Sequence, residues 1–384
     1  MGKRELLIAI VFIVFGFGVY QLTAPPSDPS KTGFSFGRLV NEIRREVRGQ
    51  RATAETTFAA TRPVPDTISE IRLSFAVGEL TIVGENRDDI AAEMHVRSTG
   101  YDTEEAQRLA KESILTFDEA GALLIIAAKF PVAGRQTPTL TLKVPSRLGV
   151  RIDEKGSSLE ISNVASVLMG GGRGVSTIQH IAGNVTATQR GSEITISDVG
   201  SLKLSTFGGV EARVSKVRGD ATFSLQGGEL RAEDLAGALQ VETRNAEIQF
   251  EKIEKLKGPV RVDAMGGEIV FIGLRTETRI DGRRSDIRVD HAGGAPVSIY
   301  NEGDETIELT VPAAGFSIDA LAIDGDITLD EKLQAAGLKV EGTGGGDDER
   351  SAARRESRVA GQAHGGGPPI ILRATRGDIL LRAR

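Results

Sequence analysis

Cysteine and tryptophan are both missing from the 384 residues, and aromatic side chains of all kinds make up only 4%. Without a thiol there is no cysteine nucleophile, no thiolate-bound metal and no lipid-modified N-terminal cysteine. The missing disulfides leave the compartment open, because exported bacterial proteins also do without them. So few large aromatic anchors is unlike a globular enzyme built around them. Excess positive charge is lacking too: 47 Lys and Arg against 53 Asp and Glu give a net charge of −6. That mixed, mildly acidic surface predicts no nucleic-acid partner. Imidazole is limited to His95, His180, His291 and His364, which share no metal-ligand spacing, so neither a metal nor another cofactor is expected.

Glycine, by contrast, is abundant at 46 residues, which implies many tight turns. The first 24 residues predict a membrane anchor with a short cytoplasmic N-terminus. Leu6 to Ala24 carries no charge, Lys3 and Arg4 precede it and Pro25-Pro26 follows. A run of 19 uncharged residues suits a spanning helix, and Leu22 and Pro25 around Ala24 make a poor cleavage site. The basic residues beside the span place the N-terminus in the cytoplasm and the rest of the chain outside it. Residues 25–65 read as a tether, with Phe36, Val40, Ile43 and Val47 at helical spacing inside it.

From residue 66 onward a phrase recurs: EITISDV from Glu193, EARVSKV from Glu211, ELRAEDL from Glu229, EIQFEKI from Glu247, EIVFIGL from Glu268 and DIRVDHA from Asp286. The starts fall 18, 18, 18, 21 and 18 residues apart. Further copies begin at Glu79, Ser158, Thr177, Thr306, Asp326 and Asp378. Each phrase alternates polar and apolar, adds an apolar residue three further on, and is followed by a second alternating pair such as Leu202 and Leu204. Period two predicts strands, and glycine pairs such as Gly208-Gly209 between phrases predict corners. An 18-residue unit loses roughly 1–2 kcal/mol of backbone entropy per residue. Five or six buried aliphatic side chains return only about 1.5–3 kcal/mol each. No unit folds alone, and residues 66–384 are therefore expected to be an all-β, single-stacked parallel β-solenoid, or β-helix-like body. Ile194, Ile196, Val199, Leu202, Leu204 and Phe207 should lie over Val214, Val217, Ala221, Phe223 and Leu225 of the next unit. The helical spacing of Ala106, Leu109, Ala110 and Ile114 predicts one capping helix over about 103–116. The Gly- and charge-rich run 342–367 predicts a disordered insertion, and 368–384 a final coil.

The opening LSFAVGELTIVGE from Leu73, the GGE corners at Gly228 and Gly267, and the ending GGGPPIILRATRGDILLR from Gly365 resemble the bacterial "putative adhesin" family with β-strand repeats, domain of unknown function 4097. The resemblance covers roughly Glu70 to Arg384, and the charged insertion departs from the family's compact pattern. It implies a β-solenoid at the cell envelope and carries no catalytic motif.

No residue is singled out as catalytic, cofactor-binding or metal-binding. The glutamates opening the phrases would form a column of like charges, compensated in part by Arg213, Arg231 and Arg288 two residues on. The GGGRG at Gly170 to Gly174 lacks the Lys-Ser/Thr ending of a phosphate loop and reads as a turn. A carbohydrate-active β-helix enzyme would need paired carboxylates in a cleft with aromatic platforms. Asp324/Asp326 and Asp347/Asp348 are pairs without companions, and tyrosine numbers three. The expectation is a non-catalytic adhesin or envelope scaffold held to the membrane by its N-terminal helix. Its candidate partners are an envelope polymer, a surface ligand or another protein. An envelope-stress sensing component is the second reading and a carbohydrate-active enzyme the third.

Overall fold

The computed structural model describes residue 13 and residues 52–156, 158–343 and 355–384. The protein is all-β: among the described residues 27 strands join into one hydrogen-bonded sheet, with two short helices. No described helix is long and apolar enough to cross a membrane. Apart from Ile13, the expected anchor lies outside the described residues, as do the helical stretch at 36–47 and Asp347 and Asp348.

Strand β12 (Glu193–Phe207) shows how the phrase becomes structure. Ile194 and Ile196 alternate inward with Thr195 and Ser197 outward, as a period of two requires. Asp198 then takes a left-handed conformation with φ of 54°. That one extra residue turns the chain and brings Val199 inward three positions after Ile196. The same slot is left-handed in Asn163, His180, Lys216, Asp234 and Lys252. Asn and Asp tolerate this region best; elsewhere it costs roughly 1–2 kcal/mol. After the corner Leu202, Leu204 and Thr206 point inward. Phe207, expected in the core, instead faces outward, because alternation from Leu204 gives the inner slot to Thr206.

The second corner is the glycine pair. Gly266 and Gly267 have φ of 74° and 92°, and a Cβ on Gly267 would lie 2.1 Å from the Ala246 carbonyl oxygen.

Successive units stack in parallel. The first half of β12 pairs with β13 (Glu211–Val217) through Glu193↔Glu211, and its second half with β14 (Ala221–Leu235) through Leu202↔Ala221. Strand β15 (Leu239–Glu251) continues both rows, with Glu229↔Glu247. Next come β16 (Val260–Met265) and β17 (Glu268–Leu274), then β18 (Thr278–Arg283) and β19 (Asp286–His291). The phrase starts are in register strand by strand, including Glu268↔Asp286. The phrase assigned to Thr177 is the exception: in β11 (Val175–Arg190) Thr177 aligns with Thr195, so Val175 holds the opening slot. Between the two rows runs one continuous apolar core. Phe250 and Phe271 stack within it with centroids 4.8 Å apart, and Phe223 meets Phe250 across it at 6.0 Å.

The ends correct several expectations. Residues 52–63 are not tether but strand β1 (Ala52–Pro63), antiparallel to β4 (Asp89–Gly100) along its whole length. Its small Ala and Thr residues and the half-buried Phe58 suit an edge strand. Helix α1 (Thr103–Lys111) is shorter than expected and packs on β1 and β4. The Ser113 hydroxyl donates to the Leu109 carbonyl at 2.9 Å at the close of that helix, and Ile114 opens strand β5 (Ile114–Ala120) with 45% exposure.

The chain also threads its ends inward. The unit of β2 (Glu70–Phe75) and β3 (Glu79–Glu85) comes early in sequence. It lies between the unit of β6 (Leu123–Lys129) and β7 (Gln136–Pro145) and that of β8 (Gly149–Lys155) and β9 (Ser158–Ser162). At the other end, β26 (Pro369–Thr375) and β27 (Ile379–Ala383) are not the terminal layer. They sit between β20 (Val297–Glu302) with β21 (Ile307–Val311) and β22 (Phe316–Ile323) with β23 (Ile327–Leu329). Nor is 342–367 disordered throughout: β25 (Glu356–Ala363) runs antiparallel along β22 and buries Val359 and Ala363. Two apolar side chains at even spacing suffice there because β22 supplies the backbone partners.

Candidate functional site

The parallel register turns every outward position into a row crossing many strands. On the phrase face the opening row contains Glu193, Glu211, Glu229 and Glu247. Arg213 pairs with both Glu193 and Glu211, and Arg231 with Glu229 at 2.5 Å. Farther along, Glu308 receives Arg288 at 3.0 Å and Arg382 at 2.8 Å. These half-exposed pairs are worth about 0.2–1 kcal/mol each and largely answer the like-charge column from within the fold.

The left-handed corner carries its own charges. His180 lies 2.9 Å from Asp198 of the next unit, and Arg218 also reaches Asp198. The His180 hydrogen bond, with help from the Arg218 charge, holds the Asp198 carboxyl below the usual carboxylate range. His95 sits between Thr57 and Glu93, and His364 is in a turn. His291 is buried, its Nδ1 meets no hydrogen-bond partner among the described residues, and burial lowers its pKa below 6.5 against the opposing pull of the Ala295 and Leu274 backbone. Among the described residues no three His, Asp or Glu side chains are grouped to hold a metal ion. Asp324 and Asp326 serve the fold: Asp324 accepts from the Arg355 amide at 3.2 Å, and Asp326 pairs with Arg355 at 2.8 Å. Gly170 to Gly174 leads into strand β11, not a helix.

The opposite face holds a hollow of about 850 Å³, spread over β14, β15, β16, β18, β20 and β26. Five interstrand steps of about 4.8 Å make it roughly 24 Å long. Its middle row is Glu242, Asp263 and Asp281 on adjacent strands, followed by Tyr300 and Arg373. Arg261 and Arg279 flank this row on one side, Arg244 and Arg283 on the other. A hollow of about 280 Å³ adjoins it between Arg261, Arg279 and the same two aspartates. Arg279 grips Asp281 at 2.7 and 3.1 Å and lies 5.1 Å from the Tyr300 ring centroid. The phrase face settles its charges internally, but here Glu242, Asp263, Arg244 and Arg261 form no ion pair among the described residues. No repeat phrase covers these positions, and only the second alternating pair of each unit, read row by row, could have disclosed them.

No family model and no curated protein matches this chain. Two solved structures are similar to it. A "putative cell adhesion protein" from Clostridium sporogenes ATCC 15579 is 11% identical, with a TM-score of 0.20, over 87% of this chain and 100% of that one. A "putative adhesin" from Parabacteroides distasonis ATCC 8503 is 14% identical, with a TM-score of 0.31, over 66% of this chain and 97% of that one. Likeness at this level carries no argument about what the groove binds.

The groove carboxylates are open to solvent, with Glu242 and Asp263 exposed and Asp281 half-exposed. The arrangement can offer rows of hydrogen-bond acceptors and donors to a long ligand.

Proposed function

We propose that residues 52–384 form a β-solenoid tethered through residues 1–24 to the membrane, outside the cytoplasm, as a non-catalytic adhesion or scaffolding surface. This is the kind of body that the resemblance to the adhesin family implies. One observation carries the reading: outward side chains recur one per strand in unbroken rows, and a hollow of about 850 Å³ extends over six strands. A surface repeated at the strand spacing suits an extended ligand better than a small substrate. The uncharged span behind Lys3 and Arg4 supports the tether and its orientation. The carboxylates of that hollow lie open to solvent, which suits contact with a ligand laid across the strands.

Fractionation and protease shaving test this reading. The chain should sediment with membranes, and its body should be digested by protease added outside intact or osmotically opened cells. A soluble, protected cytoplasmic product would refute it.

A further inference from the structure

The groove across β14 to β26 has a chemistry narrow enough to name a ligand class. Its central row, Glu242, Asp263 and Asp281, consists of solvent-open carboxyl side chains, whose oxygens accept hydrogen bonds. The rows on either side, Arg261 with Arg279 and Arg244 with Arg283, are guanidinium groups, which donate and accept none. A ligand lying along the groove therefore meets acceptors under its middle and donors at both margins, Arg261 and Arg279 on adjacent strands of one and Arg244 and Arg283, with Met265 between them, on the other. A polyanion would place its charges over three carboxylates, and a polycation would run between four arginines. Hydroxyl groups meet both demands at once, because each can donate to a carboxylate and accept from a guanidinium.

The geometry agrees. The rows advance by about 4.8 Å per strand, close to the advance of one pyranose ring along an extended β-1,4-linked chain. At the end of the carboxylate row stands Tyr300, half-exposed, with the Arg279 guanidinium over its ring at 5.1 Å. The phenol there, its ring already faced by that guanidinium, offers a sugar its edge and its hydroxyl. Among the described residues Glu242, Asp263, Arg244 and Arg261 form no ion pair, whereas Arg213 and Glu211 on the other face are joined.

We infer that this groove binds a neutral, unbranched β-1,4-linked glycan, one sugar per strand, with carboxylates and arginines sharing its hydroxyls. The inference rests on the reading of the protein as a binding surface and gives that surface a ligand.

The test is isothermal titration of the full chain in detergent micelles with cellohexaose and N-acetylated chitohexaose, and with polygalacturonate and polylysine as charged competitors. At least one neutral hexasaccharide should bind with a dissociation constant below about 1 mM and be recovered uncleaved. Asp263→Ala and Tyr300→Ala should each weaken it tenfold or more, with unchanged circular dichroism, and Arg213→Ala on the opposite face should not. Lack of binding by both neutral sugars, tighter binding of either charged polymer, or equal effects of Arg213→Ala and Asp263→Ala would overturn the assignment. Those outcomes leave the protease-shaving result untouched, so failure of the ligand and failure of the tethered-surface reading are told apart.

Discussion

Removing residues 368–384 should do more than shorten the protein, because strands β26 and β27 are an interior layer. The deletion takes out Ile370, Leu372, Ile379 and Leu381, none more than 1% exposed. At about 1.5–3 kcal/mol for each fully buried aliphatic side chain, the loss is roughly 6–12 kcal/mol. That is comparable with the roughly 5–15 kcal/mol net stability of an ordinary domain. It also removes parallel ladders on both sides, to β20 and β21 below and to β22 and β23 above. Neighbouring units touch only their own neighbours, so the damage should be confined to one end. Hydrogen exchange read by mass spectrometry should show protection lost over Phe316–Ile323 and Glu356–Ala363. Protection over β12 to β17 should be retained. If the Phe316–Ile323 amides stayed protected, the outer unit would have closed directly onto β20, and the claim that the last segment is an indispensable inner layer would be refuted.

Two further outcomes follow from the corners and the core. Gly208→Ala should cost only the roughly 1–2 kcal/mol of a left-handed alanine, since nothing lies within 4 Å of the added methyl. Gly267→Ala should cost clearly more because its methyl meets the Ala246 carbonyl oxygen at 2.1 Å; denaturant melts of the two variants give the ranking. For His291, burial depresses the folded-state pKa below 6.5. The unfolded chain therefore binds the proton first, and this residue's contribution to stability is intact above pH 6.5 and declines as pH falls below it. His291→Leu should flatten the fall of melting temperature below that pH, and an unchanged slope would show that the imidazole is not held neutral.

The body of the fold was legible because the phrase repeats with the stack. Glu193, Glu211, Glu229 and Glu247 align in space as they do in sequence, and period two sorted Ile194 and Ile196 inward. The three-residue step to Val199 was visible, but not its cause, the left-handed Asp198. The ends were less legible for a physical reason. Any unit can pair with any other through the same backbone ladder, so sequence order does not dictate stacking order. The inner placement of β2 with β3 and of β26 with β27 is decided by returning connections, not by a side-chain pattern. Strands β1 and β25 escaped notice because antiparallel strands at the ends of the sheet need few apolar residues. The groove was hidden for a different reason: Glu242, Asp263 and Asp281 lie 21 and 18 residues apart, in segments where only the inward residues follow the repeat.

That row of carboxylates stands or falls with the register, and the natural lack of cysteine makes the register directly measurable. Glu242→Cys with Asp263→Cys places thiols on directly paired positions of adjacent strands, about 4.8 Å apart and within the 4.4–6.8 Å range of disulfide Cα separations. Glu242→Cys with Asp281→Cys places them two strands apart, roughly 9.6 Å and beyond reach. Mild oxidation followed by mass spectrometry should give an intramolecular disulfide in the first pair and free thiols in the second. A disulfide in the second pair without one in the first would contradict the stack, and with it the groove built on its surface.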